Sequence, residues 1–145
     1  VDYAHTPDAL KNVLQTIEGL RTGSGKIITV MGCGGDRDQE KRSKMGHIAS
    51  FLSDQVIFTS DNPRFEDPQV ILDQIEAGVL PENSKKTLAI TDRKQAIKAA
   101  CKLAKSGDIL LVAGKGHESY QEIEGVRIPF DDKTITRLVL EALEK

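Results

Sequence analysis

The sequence predicts one α/β domain with a mostly parallel sheet, helices on both faces and an antiparallel hairpin at one edge. Helical and strand patterns alternate along the 145 residues. Four short segments are nearly continuous in apolar residues, which is typical of parallel strands covered on both faces: 27–31, 56–59, 88–90 and 109–113. Residues 120–130, with a turn at Glu124-Gly125, have the pattern of a hairpin.

Helix starts are marked by capping residues. Thr6-Pro7-Asp8 supplies an N-cap, a proline in the first turn and an acidic residue, and Gly19 ends the apolar pattern that follows. Asp67-Pro68, Asp92 and either Asp131 or Asp132 precede three further helical patterns. Another helix is indicated by an apolar stripe at Met45, Ile48, Ala49 and Leu52. We expect residues 78–86 to form a polar loop.

Composition excludes several classes of protein. With 39% hydrophobic and 29% charged residues, the chain is expected to fold around one core. The net charge of −2 argues against a nucleic-acid partner, since a phosphate backbone favours a basic surface. No apolar run suits a membrane span and no signal peptide is apparent, so we expect a cytoplasmic protein without a membrane partner. Cys33 and Cys101 form no zinc motif, which favours a reducing compartment.

Charged, glycine-containing loops follow the predicted strands. Their sequences are GCGGDRD (32–38), SDNPR (60–64), DR (92–93) and GKGHE (114–118). Ligands of open parallel sheets bind beyond the carboxyl ends of the strands, so these loops should share one edge. Glycine lets the backbone approach a ligand closely, arginine can bind a carboxylate with two hydrogen bonds, and acidic residues bind ammonium. The sequence therefore predicts a pocket for a zwitterion such as an amino acid.

These loops, taken together, resemble the C-terminal domain of the Mur ligases, which are ATP-dependent enzymes that add amino acids to the peptidoglycan precursor. The resemblance covers residues 1–145 and is closest to the tripeptide-synthetase branch. It is carried by DYAHTPDAL (2–10), GCGGDRD with Lys41-Arg42 and Met45-Gly46, DNPR (61–64), DR (92–93) and AGKGHE (113–118) with Tyr120-Gln121. The start at Val1 suits a domain taken from a longer protein, although ordinary processing is an alternative.

The resemblance implies a dinucleotide-binding-like domain that closes over the substrate site and receives the incoming amino acid. The DNPR sequence looks like the form used by members that add meso-2,6-diaminopimelate rather than lysine. ATP and Mg²⁺ would be bound mainly by a central domain, and UDP-N-acetylmuramoyl-dipeptide by the other domains, both absent from this chain. We therefore expect no catalytic residue or metal site here and no ligase activity from the domain alone.

The resemblance also implies a set of substrate-binding residues: Arg37, Asp61, Asn62, Pro63, Arg64, Gly114 and Glu118. Arg64 would pair with the second carboxylate of diaminopimelate, and Asn62 would add a hydrogen bond. Arg37 would hold another carboxylate, while Glu118 and the backbone of Gly114 would hold an ammonium. Asp61 would help to shape the pocket. Asp2 and His5 are expected near the domain junction, in contact with ATP or the hinge.

Two other functions remain open on the sequence alone. The chain could be a non-enzymatic domain that binds or senses an amino acid, which needs only the pocket. It could also belong to another amide ligase, such as cyanophycin synthetase or folylpolyglutamate synthetase. The DNPR and GKGHE loops argue against the folate enzyme and less firmly against the cyanophycin enzyme. A glycine-rich kinase-type loop upstream of Val1 would favour a ligase over a sensor.

Overall fold

A computed structural model describes residues 1–145 as a four-stranded parallel sheet of order β3-β2-β1-β4, with a separate two-stranded antiparallel sheet. The main strands are β1 (Ile27–Met31), β2 (Gln55–Phe58), β3 (Thr87–Ala89) and β4 (Ile109–Val112). The hairpin strands are β5 (Tyr120–Ile123) and β6 (Val126–Pro129). The helices are α1 (Pro7–Leu20), α2 (Glu40–Leu52), α3 (Pro68–Glu76), α4 (Arg93–Leu103) and α5 (Asp132–Ala142).

The predicted capping residues begin four of the five helices. Thr6 Oγ1 accepts from the Ala9 N–H at 3.2 Å, and Asp67 Oδ1 accepts from the Gln69 N–H at 2.9 Å. Asp92 and Asp131 cap α4 and α5 in the same way. These side chains satisfy backbone donors that have no partner within a helix. The structure also decides between the two candidate caps of α5, because Asp131 is the N-cap and Asp132 is the first helical residue.

Alternate residues of the strands supply two hydrophobic cores, one on each face of the sheet. Ile27 and Met31 of β1 pack with α1, α2 and α3. Ile28 and Val30 point the other way and pack with α4 and α5. This two-residue alternation is the geometry of a strand, and it places helices on both faces as the sequence predicted. None of the helices combines the length and apolar character that crossing a bilayer requires.

The hairpin does not extend the main sheet, which corrects the expected antiparallel edge. The N-terminal segment occupies that position instead. The Asp2 N–H donates to Val112 O at 2.9 Å, and the Gly114 N–H donates to Asp2 O at 3.0 Å, so the edge beyond β4 is already paired. The hairpin lies across the carboxyl end of the sheet, where it bridges to Arg64.

The segment expected to be a polar loop contains a short 3₁₀ helix, Pro81–Lys86. It begins with a proline, as helices often do. Hydrogen bonds between residues i and i+3, such as that from the Asn83 N–H to Leu80 O at 2.8 Å, close its turns. Lys86 Nζ donates to the carbonyls of Ser50 and Ser53, so this helix is fastened to the end of α2. This helix is separate in sequence from the loops that follow β1, β2 and β4.

Candidate functional site

A polar cleft of about 550 Å³ lies at the carboxyl edge of the sheet. It is formed by the loops after β1, β2 and β4, by the N-terminal segment and by the hairpin. Its cationic side chains are those of Arg37, Lys41, Arg64 and Arg127. Its carboxylates are those of Asp38, Asp61, Glu118 and Glu122. A larger open groove of about 780 Å³ lies between α1 and α2, but the loops that follow the strands do not line it.

The loops after β1 and β2 approach each other too closely for side chains between them. A Cβ added to Gly32 would overlap the Thr59 carbonyl, and one added to Gly35 would overlap the Pro63 carbonyl. The Gly35 N–H donates to Asn62 O at 2.7 Å. Glycine is therefore required here for close backbone approach. The contact places Arg37 and Arg64, one from each loop, on the same cleft.

Contacts with the hairpin and with the loop after β1 fix both the backbone and the side chain of Arg64. Its φ of 52° lies in the left-handed region, which is uncommon for a residue with a side chain. The hairpin stabilises this conformation, since the Arg64 N–H donates to Glu122 O at 2.9 Å and Arg64 O accepts from the Glu124 N–H at 2.7 Å. Nη1 donates to Gly35 O at 2.9 Å, and Nε lies 3.6 Å from Glu122 Oε2. The guanidinium retains further N–H groups for a ligand.

Asp61 and Asn62 are held by a lysine that the sequence analysis did not assign. Lys115 Nζ is fully buried, lies 2.8 Å from Asp61 Oδ1 and donates to Asn62 Oδ1 at 2.7 Å. The backbone N–H of Glu122 also donates to Asn62 Oδ1, at 3.0 Å. The loop after β2 is thus tied both to the loop after β4 and to the hairpin.

Glu118 and Gly114 line the cleft beside the N-terminal segment. The negative charge of Glu118 is the main cause that raises the pKa of Tyr3, with burial adding to it, so the phenol stays protonated at neutral pH. Gly114 has a φ of 112°, which favours glycine, and its N–H is already bonded to Asp2. Its carbonyl is the backbone group left to accept from a ligand.

The remaining predicted residues are divided between the cleft and its surroundings. His5 lines the cleft, and its Nδ1 lies 2.9 Å from Tyr3 O. Asp2 lines a separate cavity near Gly116, and its Oδ1 accepts from the Ala4 N–H at 2.9 Å. Pro63 is buried outside the cleft lining, where its carbonyl accepts from the Glu66 N–H. Six of the seven predicted substrate-binding residues therefore line the cleft, with Pro63 behind them.

The loop after β3 does not contribute to the cleft, contrary to the expectation that all four loops form its edge. The Asp92 side chain caps α4 by accepting from the Gln95 N–H. Arg93 is fully buried and pairs with Asp132, with Nε to Oδ1 at 2.8 Å and Nη2 to Oδ2 at 2.6 Å. Its other N–H groups bond the carbonyls of Ser60 and Ala113 at 3.0 and 3.1 Å. With its donors used inside the protein, Arg93 is a structural residue.

The side chains that the hairpin brings to the cleft were not predicted from the sequence. Tyr120, Glu122 and Arg127 line it, and the Arg127 guanidinium lies 4.3 Å from the centre of the Tyr120 ring. A usable signal was present, because residues 120 and 122 share a face of a strand and Arg127 is the cross-strand partner of Glu122. What the sequence lacked was the position of the hairpin over the sheet edge.

Two kinds of chemistry find no support in these residues. Burial raises the pKa of the Cys33 thiol to about 12, so this cysteine of the cleft stays neutral and is a poor nucleophile. No group of three His, Cys, Asp or Glu side chains lies close enough together to hold a metal ion. The arrangement is suited to binding and orienting a small molecule that carries both charges.

Residues 1–116 match the family described as the Mur ligase, glutamate ligase domain. This match includes the loops after β1 and β2 and the first residues of the loop after β4, and it ends before Glu118 and the hairpin. The chain belongs to the Mur ligase family. The resemblance found in the motifs is thereby confirmed from the N-terminal segment to Gly116, within the GKGHE loop.

Relatives of this Mur ligase domain are much longer proteins. The chain is 61% identical over 145 residues to the UDP-N-acetylmuramoyl-L-alanyl-D-glutamate–2,6-diaminopimelate ligase of Cytophaga hutchinsonii, covering 100% of this chain and 30% of that protein. It is 60% identical over 137 residues to the ligase of the same name from Bacteroides thetaiotaomicron, covering 94% and 28%. A solved structure of a ligase of that name has a TM-score of 0.90 at 46% identity, covering 99% of this chain and 29% of that one.

Proposed function

We propose that this domain binds meso-2,6-diaminopimelate in a longer, ATP-dependent ligase that joins it to UDP-N-acetylmuramoyl-L-alanyl-D-glutamate. Residues 1–145 would be its C-terminal domain, behind a UDP-binding and an ATP-binding domain. The observation that carries the proposal is that Arg64 and Asn62 of the DNPR sequence share one cleft with Glu118 and Gly114. The names of the long relatives support the same substrate.

The charges of the cleft are complementary to those of diaminopimelate. That molecule has two carboxylates and two amino groups, and one of the amino groups forms the new amide bond. Arg64, with the amide of Asn62, would bind the carboxylate that lysine lacks, and Arg37 would bind the other. Glu118 and the Gly114 carbonyl would accept from the ammonium that does not react. Paired arginine and carboxylate groups give both affinity and orientation.

The chain's own residues would bind and orient the nucleophile rather than activate phosphate. In the proposed reaction ATP supplies the phosphate that activates the precursor's carboxylate, and the free amino group then displaces that phosphate. The acidic groups of this domain do not form a metal site, so we assign Mg²⁺ and the triphosphate to the ATP-binding domain. His5, which lines the cleft, and Asp2, in the separate cavity near Gly116, are our candidates for contacts with that domain. Both cysteines are buried and free, which suits the reducing cytoplasm.

A panel of amino acids given to the full-length ligase tests the proposal. We expect kcat/KM for meso-diaminopimelate to exceed that for L-lysine or L-ornithine by about a thousandfold or more. With either of those amino acids, Arg64 would face an ammonium or an empty site and remain an unpaired, partly buried charge. Formation of the UDP-linked product is the measurement. Equal use of lysine would contradict the assignment of the substrate.

The isolated domain, residues 1–145, is expected to bind meso-diaminopimelate weakly or not at all. In this domain the cleft is open, and closure by the other domains would complete the site. Isothermal titration calorimetry on the folded fragment, with circular dichroism as the control for folding, measures this affinity. A dissociation constant in the low micromolar range would instead favour an amino-acid sensor.

A further inference from the structure

Lys115 is a fully buried lysine at the junction of three segments, and the proposed reaction gives it no role so far. It comes from the loop after β4. Its Nζ pairs with Asp61 Oδ1 at 2.8 Å and donates to Asn62 Oδ1 at 2.7 Å, both in the loop after β2. It also donates to the carbonyl of Tyr120 in β5, at 2.9 Å. Two N–H donors of this ammonium thus have hydrogen-bond acceptors, and its charge is paired with that of Asp61.

These contacts decide which way the amide of Asn62 faces. Its Oδ1 accepts from Lys115 and also from the backbone N–H of Glu122. Because an ammonium and a backbone N–H only donate, a flipped amide would put donors against donors. The Oδ1 atom is therefore fixed toward the protein, and Nδ2 is the atom that Asn62 presents to the cleft it lines. An N–H donor at that point favours a carboxylate and disfavours an ammonium.

The same arrangement joins Asn62 to Arg64. The backbone of Glu122 bonds Asn62 Oδ1, while its carboxylate lies 3.6 Å from Arg64 Nε. The carbonyl that Lys115 bonds, that of Tyr120, is two residues earlier on β5. Lys115 thus holds the loop after β2 and strand β5 together. Asn62 and Arg64, which are proposed to bind the second carboxylate, both lie in that loop and contact Glu122 of β5.

We propose that Lys115 is a positioning residue for specificity: it orients Asn62 so that Nδ2, beside Arg64, donates to a carboxylate of the amino acid. This inference rests on the proposed function of the cleft. Lys115 does not touch the substrate in this account. Its effect on substrate choice passes through Asn62, which is what distinguishes it from a lysine that only stabilises the fold.

A double-mutant cycle in the full-length ligase tests this route. Lys115→Met and Asn62→Ala are each expected to raise KM for meso-diaminopimelate by about tenfold, the scale of one lost hydrogen bond in a binding site. Together they should exceed the larger single effect by no more than about twofold, since residues that act through one contact are not additive. KM for ATP and for the UDP-linked dipeptide should stay unchanged and serves as the internal control.

Asn62→Asp provides a second test that keeps the partner of Lys115. The new carboxylate can still accept from Lys115 and from the Glu122 N–H, so folding should be retained. It replaces the Nδ2 donor by a negative oxygen facing the substrate's carboxylate. We expect KM for meso-diaminopimelate to rise more than in Asn62→Ala. This comparison decides the proposal if Lys115→Met, which leaves Asp61 without a cation, lowers the melting temperature too far for assay.

These outcomes distinguish the role of Lys115 from the function proposed for the cleft. Additive effects of Lys115→Met and Asn62→Ala, or a smaller effect of Asn62→Asp than of Asn62→Ala, would overturn the role of Lys115 and leave the pocket in place. An unchanged KM in Asn62→Ala would overturn both that role and the assignment of Asn62. The proposed function itself would fail if Arg64→Ala also left KM unchanged, or if the ligase used lysine equally well.

Discussion

Replacing Arg64 by alanine in the full-length ligase is expected to raise KM for meso-diaminopimelate by about a hundredfold, from about 3 kcal/mol of lost charge-assisted bonding. The structure adds a reason for this size. The guanidinium is fixed by Gly35 O and by Glu122 before any ligand arrives, so little side-chain freedom is lost on binding. The measurement is steady-state kinetics with meso-diaminopimelate as the varied substrate.

The backbone of Arg64 requires a control of its own. At a φ of 52° an alanine is strained as the arginine was, whereas a glycine is not. If the guanidinium carries the effect, Arg64→Gly and Arg64→Ala should raise KM to the same extent. Arg64→Lys should not restore it, because an ammonium cannot form the paired bonds of a guanidinium. Arg137→Ala, on the exposed side of α5, is the matched charge deletion and should leave KM unchanged. An unchanged KM in Arg64→Ala would rule out the assignment.

The parts of the fold that the sequence predicted depend on local patterns. Caps at Thr6, Asp67, Asp92 and Asp131 act within a few residues, and the apolar strands carry their own signature. The position of the hairpin could not be predicted in this way. It depends on which segment pairs with the edge beyond β4, and the N-terminal Asp2 takes that edge from more than 100 residues away in sequence. Pairing across such a separation leaves no local signal.

The same distinction applies to the site. Arg64 and Arg93 look alike in the sequence, since each follows a strand together with an aspartate. Arg93 is structural because its guanidinium is buried and pairs with Asp132, 39 residues later in the sequence. Lys115 and Asn62, 53 residues apart, are likewise joined only in the fold. The motifs therefore indicated the cleft, while the division of its charged residues into ligand-binding and structural ones needed the tertiary contacts.

Replacing Arg93 by methionine is expected to lower the free energy of unfolding by about 3–5 kcal/mol, because it leaves the buried Asp132 carboxylate without its cation. The side chains of both partners are fully buried. The change also removes the donor from the carbonyls of Ser60 and Ala113, the residues just before Asp61 and Gly114 of the cleft. Urea unfolding of the domain, followed by circular dichroism, measures the loss.

Two comparisons show whether burial of this pair is the cause. Arg21→Met breaks pairs with Glu18 and Asp54 that are open to solvent, so its unfolding midpoint should move far less. Combining Arg93→Met with Asp132→Leu removes both buried charges, and the double variant should be more stable than Arg93→Met alone. If Arg93→Met lowers the free energy of unfolding no more than Arg21→Met does, the buried pair of Arg93 and Asp132 does not stabilise the fold.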